Sequence, residues 1–276
     1  MSDVKSLKLV EFERPPVAEV SISVTFLPLD RLRTFEILEI WNELFKDQLP
    51  AYQQQAPLVP QVEQFGAPGT QAQMTVQFLS QPPEPRYWFL DESGSNLVQI
   101  QQDWFARNWR RIEPSDVYPR FGSVREPFEN DLRRLTSALE AKDLGHLEPV
   151  QCEVSYINPI EVKEFPIVSS LIRYWIDVPG SFLPAPEDLQ AHARYVIPGI
   201  DGEKMGRLHV NIQPAIRSTD NEPIYLLNLT ARGVPKSSSI NDVMEFIDVC
   251  HQWIVNGFAD ITTEEMHGRW GIVHDS

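Results

Sequence analysis

The sequence predicts an α+β fold: antiparallel sheet with helices packed on one face. Three observations predict it. Several segments alternate apolar and polar residues one by one, the pattern of strands with a single buried face. Turn signals such as Asp91-Glu92-Ser93-Gly94 and Asp201-Gly202 join neighbouring strands into hairpins, which makes the pairing antiparallel. Other segments repeat apolar residues at helical spacing, and such helices cover one face of an antiparallel sheet.

The elements follow in order. Residues 17–26 place Val20, Ile22, Val24 and Phe26 on one side and Glu19, Ser21, Ser23 and Thr25 on the other; Pro28 ends the strand. Asp30 is the expected cap of a helix reaching about residue 48, with Phe35, Leu38, Trp41 and Phe45 as its apolar stripe. A loop rich in Gln and Pro runs to about residue 71. Three strands follow: one through Met74, Val76 and Phe78, one over residues 86–90, and one over residues 96–105. Ser123 and Glu126 have capping-box spacing, so a helix starts there; Phe128, Leu132, Leu135 and Leu139 form its stripe and Gly145 is its expected cap.

The order then starts again. Residues 150–157 form a strand, with Cys152, Val154 and Tyr156 opposite Gln151, Glu153 and Ser155. Residues 164–175 read as a short apolar helix, and strands follow over 191–197, 207–213 and 224–230. A long helix from about residue 241 carries Val243, Phe246, Ile247, Cys250, Trp253, Ile254 and Phe258 on one stripe. The expected organisation is two β-α-β-β-β-α units, residues 1–147 and 148–276 with a short C-terminal helix, in the order of helix-grip and TATA-binding-protein-like folds. No residue identity links the halves; the repeat is one of element order, and the units are free to share one core.

Composition narrows the function. The chain has 276 residues, 42% of them hydrophobic, with a net charge of −15 and a pI near 4.8. An acidic chain repels nucleic acid and anionic membranes, although a local basic patch remains compatible with it. No stretch approaches the roughly 18 apolar residues that span a bilayer. Cys152 and Cys250 read as reduced core thiols, which suggests a cytoplasmic protein. The 23 prolines cluster between periodic segments and mark stiff connections.

The outward face of the strands is the main candidate site. It carries polar but largely uncharged residues that donate and accept hydrogen bonds: Ser23, Thr75, Gln99, Gln101, Glu153, Ser155, Arg207, His209 and Asn211. They suit a ligand groove or a protein interface; the alternative is an ordinary wet sheet face. The run Trp104-Phe105-Ala106-Arg107-Asn108-Trp109-Arg110-Arg111 could stack bases and grip phosphates, or be a strand running into a loop with its arginines paired to carboxylates. Thr262 and Glu265 cap a short helix bearing His267, read as a surface histidine. His209 or His251 would be the acid–base group of an enzyme with a pocket between sheet and helix. The chain has no GxGxxG, P-loop, GxSxG, CxxC or EF-hand motif. No catalytic residue, metal ligand or cofactor is therefore assigned.

Pro15-Pro16-Val17-Ala18-Glu19-Val20, the run Gln151-Cys152-Glu153-Val154-Ser155-Tyr156-Ile157-Asn158, and the segment from Thr262 to Gly271 resemble a sporadically distributed bacterial family without a characterised function. The resemblance covers nearly the whole chain and implies no site residue. It implies an accessory role, as in defence or mobile-element systems. The expectation is a non-catalytic binding or interaction protein acting through the polar sheet face. Its partner would be a protein or small molecule, not nucleic acid or membrane, and a homodimer stays open.

Overall fold

The strands that open the two halves, β2 (Glu19–Phe26) and β7 (Pro149–Glu161), pair side by side at the centre of one sheet. The computed structural model describes residues 9–59, 61–65, 84–161, 170–173, 182, 188–199 and 202–273. Strand β1 (Glu11–Phe12) lies apart. Outward from β2 run β6 (Trp104–Arg110), β5 (Asn96–Gln101), β4 (Arg86–Leu90) and β3 (Ala51–Gln55). Outward from β7 run β10 (Pro223–Gly233), β9 (Lys204–Ile216) and β8 (Ala191–Pro198). All eight neighbouring pairs of this nine-stranded sheet are antiparallel. The α+β class is therefore as the sequence predicts.

Helices α1 (Thr34–Leu44), α2 (Gly122–Ala141) and α3 (Ile240–Ile261) lie on the helix side of the sheet, and α4 (Glu264–Trp270) follows α3. Val20, Ile22 and Val24 of β2, Cys152 and Val154 of β7, and Leu227 and Leu229 of β10 are buried beneath them in one continuous core. Each such side chain contributes roughly 1.5–3 kcal/mol on burial. A two-residue pair, β1 with β11 (Ile272–Val273), ties the N-terminal stretch to the end of the chain.

Several local expectations need correction. Helix α1 starts after Arg33, whose backbone N–H donates to Glu36, so Asp30 is not its cap. Its expected stripe packs on the core through Leu38, Trp41 and Phe45, joined by Ile37 and Ile40, while Phe35 in the first turn is 67% exposed. Residues 96–105 are not one strand. β5 ends at Gln101 and β6 starts at Trp104, a tight hairpin without Gly or Pro, in which Gln101 donates to Asp103 at 2.7 Å. Residues 104–110 are thus a strand that runs into a loop at Arg111, as the second reading of this run has it.

Helix α2 starts one residue before Ser123, whose hydroxyl donates to Pro119 O at 2.8 Å and does not cap. α2 ends at Ala141, before Gly145. Thr263, not Thr262, caps α4, and its Oγ1 accepts from Met266 N. Thr262 bonds His267 instead, and His267 is buried. Strand β3 lies where a loop is expected. The strand through Met74 and most of the 164–175 helix fall outside the described residues.

Candidate functional site

The face opposite the helices is covered in part by the chain itself. The stretch after β3, residues 56–59 and 61–65, crosses it from β5 to β9, here called the strap. Two glutamine side chains grip its backbone. Gln101 accepts from Leu58 N–H at 2.8 Å and donates to Leu58 O at 2.9 Å. Gln151, opposite Thr25 in the sheet, accepts from Glu63 N–H at 2.8 Å and donates to Gln61 O at 2.6 Å. A carboxamide has both donor and acceptor, so it satisfies a peptide group whatever side chain that residue carries.

Glu63 then enters a cationic cage. His209 Nε2 lies 2.5 Å from Glu63 Oε1 and Arg232 Nε lies 2.6 Å from the same oxygen, while Arg207 pairs with Oε2. The Glu63 side chain is only 4% exposed. Burial pushes its carboxyl upward, but the bonds from His209, Arg232 and Arg207 outweigh it and hold the group well below the usual carboxylate range. Arg207 also donates to Gln64 O at 3.0 Å and lies 4.2 Å from the Phe65 ring centroid, a cation–π contact. Arg232 reaches on to Gln61 and Glu153. An acidic chain thus holds a local basic pocket, closed by its own carboxylate.

The expected site residues fall on this face, and most have partners. Gln99 is buried between Arg86 and Asn108, at 3.0 and 2.7 Å. Ser155 bonds Thr230 at 2.8 Å. Ser23 is buried and Asn211 half-buried. Glu153, Arg207 and His209 belong to the cage and Gln101 to the strap. Thr75 lies outside the described residues. The face is therefore not an ordinary wet one where the strap crosses. Glu63, Gln151 and Arg232 complete it and were not among the expected site residues. Alternation through Asn228 and Thr230 places Arg232 on this face once β10 extends past residue 230. Nothing in the sequence separates Glu63 from a solvated loop acid.

The remaining candidates divide between the two faces: Asn108 and Arg110, opposite Ser21 and Glu19, lie on this one. Arg107 points to the helix side and pairs with Asp131 of α2, and Arg110 donates to Gly94 O at 2.8 Å. That arrangement removes Arg107 from the phosphate-gripping role that residues 104–111 could play. His251 lies on the helix side, with the Tyr156 hydroxyl 3.1 Å from its Nδ1. Its carboxylate neighbour Asp248 is held by Arg125 through two bonds, at 2.7 and 2.9 Å. Among the described residues no cluster of His, Cys, Asp and Glu has the makings of a metal site. No helix among them is long and apolar enough to cross a membrane.

Fold and site together define an α+β protein with one helix-covered sheet face and one polar face spanned by its own extended segment. No protein-family model matches the chain, and no curated protein matches it either.

Proposed function

We propose that this is a non-catalytic interaction protein whose polar sheet face holds an extended, acidic peptide segment of a partner. The observation that carries this reading is the grip on residues 58–65: two glutamines address backbone groups, and a cage of two arginines and a histidine takes one carboxylate. Backbone bonds give affinity for any extended chain, and a side-chain pocket selects among chains. The strap is then an intramolecular occupant, and a partner competes with it against the high effective concentration of a tethered segment. An acid–base role for His209 has less support, because its Nε2 already faces a carboxylate that two arginines share.

The test uses a fluorescein-labelled peptide with the sequence of residues 58–65. Glu63→Gln in the protein weakens the tethered occupant, so this variant binds the free peptide more tightly than the wild type. Adding Arg232→Ala to that variant abolishes binding. Failure of the Glu63→Gln protein to bind the peptide in a saturable way would sink the reading.

A further inference from the structure

On the other side of the sheet, a cavity of about 730 Å³ opens between the N-terminal stretch, the start of α2 and the side of α3. It goes beyond the interaction role and shares no residue with the strap or its cage. Its size falls in the range of sites that enclose a small organic molecule. The walls are mainly apolar, with Val10, Phe12, Val17, Phe121, Ile254 and Phe258 among them.

Arg120 lines this space. Its backbone takes a φ of 74°, a left-handed conformation that few residues other than glycine adopt. Its guanidinium donates to Phe12 O at 2.8 Å and Glu13 O at 3.3 Å, pinning the N-terminal stretch above the cavity. Strain of this kind persists only where the surroundings enforce it, and it gathers at binding sites.

The wall carries a connected polar chain. Tyr118 and Tyr156 hydroxyls lie 2.9 Å apart, and Tyr156 continues to His251 Nδ1 at 3.1 Å. The Phe121 ring stacks on His251 with centroids 3.8 Å apart and fixes its plane. Burial lowers the His251 pKa to about 4 and pushes Tyr118 up to about 12, with Tyr156 also well above its ordinary value. The chain is therefore uncharged near pH 7. A neutral imidazole and two phenols can run their hydrogen bonds in either direction, so the Tyr118 end can donate or accept. The charged groups in the wall are Glu11, Glu245, Asp248 and Arg120. Arg120 is spent on backbone carbonyls and Asp248 on Arg125, which leaves a lining hostile to anions.

We infer that this cavity binds a neutral, largely apolar small molecule whose single hydroxyl or carbonyl group joins the Tyr118–Tyr156–His251 chain. The probes are 2-naphthol, naphthalene and 2-naphthoate, titrated into the full chain at pH 7 by fluorescence. The expected order is 2-naphthol tightest, naphthalene weaker, and 2-naphthoate weakest. Tyr118→Phe keeps the ring and removes the hydroxyl that meets the ligand; it weakens 2-naphthol by roughly five- to tenfold, one hydrogen bond's worth, and leaves naphthalene unchanged. Val255→Trp, confirmed as folded by its melting curve, blocks all binding. The proposal is overturned by no saturable 2-naphthol binding to the wild type, by tighter binding of 2-naphthoate, or by a Tyr118→Phe protein that binds 2-naphthol as the wild type does. Should Val255→Trp fail to fold, the Tyr118→Phe comparison decides alone.

Discussion

Gln101 and Leu58 exchange two hydrogen bonds, the side-chain amide of one closing on the backbone N–H and C=O of the other at 2.8 and 2.9 Å. The contact spans 43 residues and fixes where the strap starts across the sheet. A buried amide in the middle of a sheet face is costly unless both its ends are satisfied. Here a backbone satisfies both, so sheet and strap each complete the other.

Removing that amide should loosen the strap while the sheet stays intact. Gln101→Ala leaves the Leu58 amide unpaired, and Gln151→Ala does the same to Glu63. Each lost bond is worth about 1 kcal/mol, so amide exchange at the affected position should quicken roughly fivefold. Hydrogen exchange followed by mass spectrometry on peptides covering residues 56–65 reads this directly. Unchanged exchange in both variants would mean the strap is held by the cage alone.

The cage predicts a pH dependence. Glu63 has a depressed pKa when docked, so docking binds fewer protons than release does. Docking is then fully strengthened above the ordinary glutamate pKa of about 4.3 and weakens as pH falls below it. Strap exchange in the wild type should rise from about pH 4.5 downward relative to Glu63→Gln, which lacks the titrating group. A parallel course in both proteins would show that Glu63 does not govern docking.

How far the sequence revealed these features depends on the range of the interaction that makes them. Strict alternation placed β2, β7 and β9 and sorted their faces, because period-two patterning is local and strong. The stripes of α2 and α3 were legible for the same reason. The β5–β6 hairpin was not, because Gln102-Asp103 turns without glycine and the polar pattern runs through it. The helix starts are near where the sequence puts them, but the caps are not, because Ser123 and Thr262 bond elsewhere, to Pro119 and to Phe258 and His267. The polar face itself was read from Gln99, Gln101 and Arg207, but its covering was not. Glu63 meets Arg207 across 144 residues, and no local pattern encodes that meeting. The Tyr118–Tyr156–His251 chain likewise joins a loop, a strand and a helix, and of the three the sequence marks only His251 as a candidate.

His251 should leave its own mark on stability, in a separate pH window. Burial depresses its pKa to about 4 in the folded chain, against about 6.5 when unfolded. Between those values the unfolded chain binds the extra proton, so stability falls as pH drops from about 6.5 to 4, by about 2–3 kcal/mol in all. Urea unfolding of the wild type and His251→Gln across this range should show that slope only in the wild type. Equal slopes would mean that His251 titrates normally and is not buried as a neutral ring.

The ion pair between Arg107 and Asp131 offers the sharpest stability test, because it lies under α2 with side chains only 11% and 6% exposed. Burial pushes the Asp131 carboxyl above its ordinary value even beside Arg107, a sign that desolvation outweighs the attraction. The pair as a whole therefore contributes little, yet breaking it leaves a buried guanidinium without its partner. Asp131→Ala should cost about 3–5 kcal/mol in urea unfolding. Replacing both, Arg107→Met with Asp131→Leu, should cost far less, because no unpaired charge remains and the apolar groups fill similar space. A double variant as unstable as the single would instead show that the pair itself, with the neighbouring Arg134 at 3.7 Å, holds α2 to the sheet.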